Sequence, residues 1–152
     1  MKYSIQTIID APLDKFIAIM DDPERMIHWQ RGLVGHEFVE GEPGKPGSKM
    51  RLDYDLKGRK FSLMETVISS DLPNSFEATY EMPGMYNAQV NTFESTPDGQ
   101  TRWTTDAEFT SDKFLYKIMM FLMPGQFKKQ SRIIMDDLKA YVEFGKSVAS
   151  DT

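Results

Sequence analysis

The chain reads as an α+β domain in which a curved antiparallel sheet of about seven strands faces one long C-terminal helix. Three observations carry that reading. The opening stretch "KYSIQTIID" is rich in β-branched residues. From residue 31 to 110 apolar side chains recur largely at period two, with Gly- and Pro-bearing turns between them. Beyond Pro124 the apolar period becomes helical.

The first strand ends where Asp10 or Ala11 can cap a helix and Pro12 can occupy its first turn. Leu13, Phe16, Ile17 and Met20 then follow at i, i+3, i+4 and i+7, the spacing of one helical face. "DDPERMIHW" repeats the device, with Asp22 as cap, Pro23 at the first helical position and Glu24 favoured by the helix dipole. A second short helix should therefore end near Trp29.

Five turn segments divide the next part into six strands: "GEPGKPG" (41 to 47), "LKGRK" (56 to 60), "SDLPNS" (70 to 75), "MPGM" (82 to 85) and "TPDGQ" (96 to 100). In "SKMRLDYDLK" Met50, Leu52, Tyr54 and Leu56 face one way and Lys49, Arg51, Asp53 and Asp55 the other. One wet face argues for an antiparallel sheet. After Pro124, Phe127, Ile134, Met135, Leu138, Tyr141 and Val142 form one stripe with Ser131 in it; Lys128, Lys129, Asp136, Asp137 and Lys139 lie largely outside. A helix of about 24 residues, about 36 Å long, would cross a whole sheet face.

At 152 residues the chain is expected to be one domain, residues 1 to 152, with no repeat, low-complexity tract or linker. Its 18 Lys and Arg against 23 Asp and Glu give a formal charge of −5, which argues against nucleic acid as a partner. The absence of cysteine excludes disulfides, thiolate catalysis and Cys-ligated metals. His28 and His36 flank Trp29 without the spacing of a zinc helix, so no metal and no cofactor are expected. The N-terminus lacks the apolar core of a signal peptide, and a cytoplasmic location is expected.

The stretch "FLYKIMMFLM" is too short for a bilayer span, being broken by Lys117 and ended by Pro124, so stable membrane insertion is not expected. Two readings remain open for it. Met119, Met120 and Met123 fill gaps in a continuous core, or they repack around ligands of different shape at the mouth of a cavity.

The order strand, two short helices, six strands and a long helix is that of the helix-grip fold. "IIDAPLDKFIAIMDDPERMIHW", Gly47-Ser48, "LMETV" (63 to 67), "TRW" (101 to 103) and "KKQSRIIMDDLKAYVE" resemble the SRPBCC superfamily, also called START-like or Bet v 1-like, in its polyketide cyclase/dehydrase and lipid-transport branch. The resemblance covers almost the whole chain. It implies an internal cavity, usually for a hydrophobic or amphipathic small molecule, but no shared reaction.

Tyr54, Tyr80 and Trp103 each share a strand face with apolar neighbours, where they either line a pocket or pack a core. Phe61, Leu63, Glu65 and Val67 share one parity; if it faces inward, a desolvated Glu65 becomes an acceptor for a ligand hydroxyl or a general acid or base. A bulge would reverse that parity, and an inward Glu65 can instead pair with Arg51, Arg102 or a tyrosine. With Met119, Met123 and Phe127, these residues form the expected ligand-binding set. Trp29 is expected to anchor helix against strand. Asn87, Gln89 and Asn91 oppose Tyr86, Ala88 and Val90; the amides either meet ligand carbonyls or, as expected, face solvent.

No nucleophile elbow, phosphate loop or dinucleotide-binding loop is present. The expected function is therefore binding or transport of a hydrophobic small molecule: a lipid, an isoprenoid quinone or a polyketide-like aromatic. The alternatives are a polyketide cyclase or dehydratase using Glu65 or a tyrosine, and a protein-interaction module resembling the co-chaperone branch.

Overall fold

Short-range signals place most elements where the sequence puts them. In the computed structural model, which describes residues 1–149, β1 (Lys2–Ile9) leads into α1 (Leu13–Met20) and a 3-10 helix (Pro23–His28). Six strands follow: β2 (Leu33–Glu40), β3 (Lys49–Leu56), β4 (Arg59–Asp71), β5 (Ser75–Met82), β6 (Met85–Ser95) and β7 (Thr101–Thr110). α2 (Phe114–Leu122) and α3 (Pro124–Phe144) complete the chain. The sheet order is β1-β7-β6-β5-β4-β3-β2 with every described pairing antiparallel. With α3 set against it, this is the helix-grip arrangement.

Local chemistry explains the boundaries. Asp22 accepts from the Glu24 N–H at 3.0 Å with Pro23 beside it, as expected of that cap. The segment winds as a 3-10 helix, however, and α1 is capped by Pro12 rather than by Asp10 or Ala11, without a side-chain hydrogen bond. Lys57 and Gly58 both have positive φ (55° and 87°), the conformation that a two-residue hairpin turn requires. α3 has 21 residues rather than about 24 and stops at Gly145, whose φ of 69° supplies the left-handed cap.

Ile5, Ile9, Phe16, Leu52, Phe93, Met135, Leu138 and Val142 belong to one buried cluster that ties β1, α1 and the C-terminal half of α3 to the sheet. α3 approaches the sheet most closely along β1. Three polar groups fix that approach: Ser131 pairs with the Tyr3 hydroxyl, Arg132 donates to Gln6 O at 2.9 Å and Lys139 donates to Ile8 O. The serine within the apolar stripe thus has a partner.

Asp137, placed by sequence outside the stripe, is buried instead. Arg31 holds it with two bonds, at 2.7 and 3.0 Å, in the planar fork that suits a carboxylate. The arginine side chain is 59% exposed and the aspartate 12%. Removing the arginine therefore leaves a buried charge unpaired, whereas the pair's own Coulomb gain is damped by solvent. Arg31→Ala should lower unfolding free energy by about 1–3 kcal/mol in urea titration; a loss below a few tenths would mean that water replaces the guanidinium without cost.

Candidate functional site

Strand parity decides which side chains meet α3. Val67 and Leu52 are buried while Ser62 and Ile68 are exposed, so Phe61, Leu63, Glu65 and Val67 point inward. The register shift in β4 falls between Val67 and Ser69, beyond Glu65, and leaves that parity intact. Arg51 and Arg102 are engaged elsewhere, with Asp53 and Glu37 and with Glu94 respectively. A tyrosine is the remaining partner.

That tyrosine is Tyr80, directly opposite Glu65 in the β4–β5 register. Tyr80 in turn faces Asn87 on β6, so Glu65, Tyr80 and Asn87 form a polar row across three strands. Met50 on β3 and Phe109 on β7 close the row at its two ends. Glu65 and Tyr80 are packed deep enough to be strongly desolvated, yet both keep solvent-accessible surface. Tyr54 behaves likewise; its hydroxyl donates to Gln30 Oε1 at 2.5 Å and its ring stacks on Phe61 with centroids 5.0 Å apart.

The electrostatics follow from that burial. Desolvation pushes the Glu65 carboxyl above the usual carboxylate range; Tyr80's hydrogen bond pulls the other way, and the charge of Asp21 adds to the rise. Burial first, and then the Glu65 charge, push the Tyr80 and Tyr54 phenols up. Both phenols therefore stay protonated at neutral pH and can donate. Asp21, at the exposed C-terminal end of α1, has its own carboxyl raised by desolvation and by Asp22. Sequence reasoning missed Asp21 because nothing in its spacing ties it to a residue 44 positions on.

The amides correct a sequence expectation. Asn87 and Asn91 are buried and Gln89 is partly so, while Tyr86 and Val90 are exposed. The inward face of β6 is thus its polar face. The amides are satisfied there: Gln89 donates to Asn87 Oδ1 at 2.7 Å, Asn87 donates to Glu108 O, and Asn91 Oδ1 accepts from Trp103 Nε1 at 2.9 Å and Thr105 Oγ1 at 2.6 Å. Trp103 is accordingly core rather than part of the polar row, with its only donor used and its ring against Phe16. Phe127 packs on Phe109, which stacks on Tyr3.

Trp29 anchors the core as expected, but its Nε1 has no hydrogen-bond partner among the described residues. Met119, on a helix with no buried residue, and Met123, at its C-cap, are exposed, so these two methionines do not fill a core. An open depression of about 540 Å³ touches Tyr54, Phe61, Val34 and Asp53, and another of about 460 Å³ lies between Met82, Tyr86 and Ser111. Neither includes Glu65 or Tyr80, so the candidate site is defined by its side chains rather than by these rim grooves. Among the described residues no group of His and carboxylates stands close enough to hold a metal, and no helix is long and apolar enough to cross a membrane.

Known structures share this architecture. Ara h 8, a Bet v 1-like protein, superposes with a TM-score of 0.74 at 16% identity, covering 93% of this chain and 97% of its own. A protein of unknown function from Staphylococcus aureus gives 0.76 at 13% identity, with 95% and 94% covered. One from Thermus thermophilus gives 0.75 at 13% identity, with 97% and 100% covered. The fold these structures share with the chain is the helix-grip, Bet v 1-like fold. No family model and no curated protein sequence matches the chain.

Proposed function

We propose that the chain binds or carries a hydrophobic small molecule in an internal cavity between the concave sheet face and α3. The observation that carries this reading is the desolvated yet partly accessible pair Glu65 and Tyr80, with the buried Asn87 beside Tyr80 and Tyr54 nearby. A carboxylate that simply faced solvent would not have a raised pKa. A few polar groups within apolar walls are the usual make-up of a small-molecule site.

In this reading apolar burial supplies most of the affinity, at about 25 cal/mol per Å² before ordering costs. The Tyr80 hydroxyl and the Glu65 carboxyl orient one polar end of the ligand. Suitable ligand classes are a lipid, an isoprenoid quinone or a polyketide-like aromatic. Met119, Met123 and Phe127 are assigned to the entrance; alanine variants of both methionines that bind like the unaltered chain would remove the lid.

Amide NMR during titration with a fatty acid, a short quinone, a flavonoid-like aromatic and a sterol tests the proposal. Saturable shifts around Tyr54, Glu65 and Tyr80 are expected with at least one of them; a well-dispersed spectrum unmoved by all four would refute it. The raised Glu65 carboxyl beside Tyr80 favours one alternative, a cyclase or dehydratase in which Glu65 moves a proton. Glu65→Gln separates the two. A carrier loses about tenfold in affinity at most, the worth of one hydrogen bond, whereas an enzyme binds and fails to turn over.

A further inference from the structure

Residues 113 to 135 contain Lys113, Lys117, Lys128, Lys129 and Arg132 and no carboxylate. The rest of the chain then holds 13 Lys and Arg against the full 23 Asp and Glu. The only strongly basic segment of an acidic protein is also its most exposed apolar one. Phe114 is 77% exposed, Leu115 68%, Phe121 84% and Leu122 68%. With Ile118 these residues stand at i, i+1, i+4, i+7 and i+8, so they share one face of α2. Tyr116 and Met120 lie on the other side, half-buried, and the principal neighbour of α2 is α3.

We infer that α2 is a reversible docking element for an anionic lipid surface, lying in the interface with its apolar face among the acyl chains. Charge complementarity selects this occupant. A two-fold pairing of chains through α2 would set Lys117 against an identical lysine, whereas an anionic bilayer opposes Lys117, and the exposed Lys128 and Lys129 of α3, with negative charge. Lys117 flanks the apolar face, where its stem follows apolar surface while its ammonium group reaches headgroups; Lys113 lies over the Tyr116 ring on the other side. α2 is too short to span and is suited to lie on the membrane. The inference rests on the outer surface of α2 and does not require the cavity.

Co-sedimentation of the full chain with two kinds of vesicle tests it: phosphatidylcholine alone, and phosphatidylcholine partly replaced by phosphatidylglycerol. Binding is expected to the anionic vesicles only and to weaken with salt. Lys117→Gln should lower the partition coefficient about fivefold, and Phe121→Ser, at a solvent-facing position that cannot unfold the core, by about tenfold or more. Absence of binding to the anionic vesicles would overturn the assignment, as would equal binding by Phe121→Ser. Dimers in light scattering that Phe121→Ser dissociates, without vesicle binding, would assign the face to a second copy instead.

Discussion

Phe16→Ala is expected to be the most damaging single truncation outside the candidate site, costing about 3–5 kcal/mol of folding free energy. Phe16 is fully buried, and its ring lies 5.6 Å from the rings of both Phe93 and Trp103, centroid to centroid. α1 has only eight residues and lacks a side-chain cap, so it has little helical stability of its own. What holds it is packing: Phe16 lies across Phe93 on β6 and its pairing partner Trp103 on β7, and Leu13, Ile17, Ile19 and Met20 add contacts with the core. Alanine would leave a cavity that two large rings cannot collapse to fill, and in a domain stable by about 5–15 kcal/mol the loss is a large fraction of the total. Thermal unfolding followed by circular dichroism should fall by roughly 10 °C or more. Phe16→Leu, which keeps most of the volume, should recover much of it. A drop of only a degree or two for alanine would mean that α1 is not docked on Phe93 and Trp103 in solution.

Phe16 was legible in the sequence as a member of an i, i+3, i+4, i+7 face, and so were the strands, because turn chemistry and alternation are local. The parity of β4 stayed open, because a bulge would have turned Phe61, Leu63, Glu65 and Val67 outward; the register shift falls beyond Val67 and leaves them inward. β6 misled, since its apolar set Tyr86, Ala88 and Val90 suggested the inward face, whereas Asn87, Gln89 and Asn91 point inward. The usual rule reverses there because β7 supplies Glu108 O, Trp103 Nε1 and Thr105 Oγ1 as partners, so burial leaves the amides satisfied. Asp137 misled likewise, its partner Arg31 being 106 residues away. α2 was ambiguous for a different reason. Its composition is that of a core helix, and only the three-dimensional arrangement shows that the face bearing Phe114, Leu115, Phe121 and Leu122 is left exposed.

Glu65→Gln should raise the melting temperature at neutral pH, and the size of the gain should depend on pH in one direction only. The Glu65 carboxyl is raised in the folded protein by burial, with Asp21 adding to the rise against Tyr80's hydrogen bond, whereas in the unfolded chain it titrates near the ordinary value of about 4.3. A raised carboxyl means that the folded state holds its proton more tightly. The group's contribution to stability is therefore fully present below the unfolded pKa and is lost as pH rises through the folded one. Glutamine has the shape of the neutral acid and cannot ionise. The two proteins should thus melt together below about pH 4, diverge as pH rises, and differ by about 2–4 °C per kcal/mol of removed charge burial once Glu65 is ionised. Asp53, whose carboxyl is lowered chiefly by hydrogen bonds from Arg51 and Ser62, contributes the opposite slope, but equally to both proteins, and the difference curve removes it. Asp21→Asn should shrink the divergence by removing one source of the shift. A difference curve flat from pH 4 to 8, or one that favours glutamate at neutral pH, would mean that Glu65 is held ionised by a donor stronger than Tyr80. Glu65 would then serve as a fixed negative charge rather than as a protonatable group facing an apolar ligand.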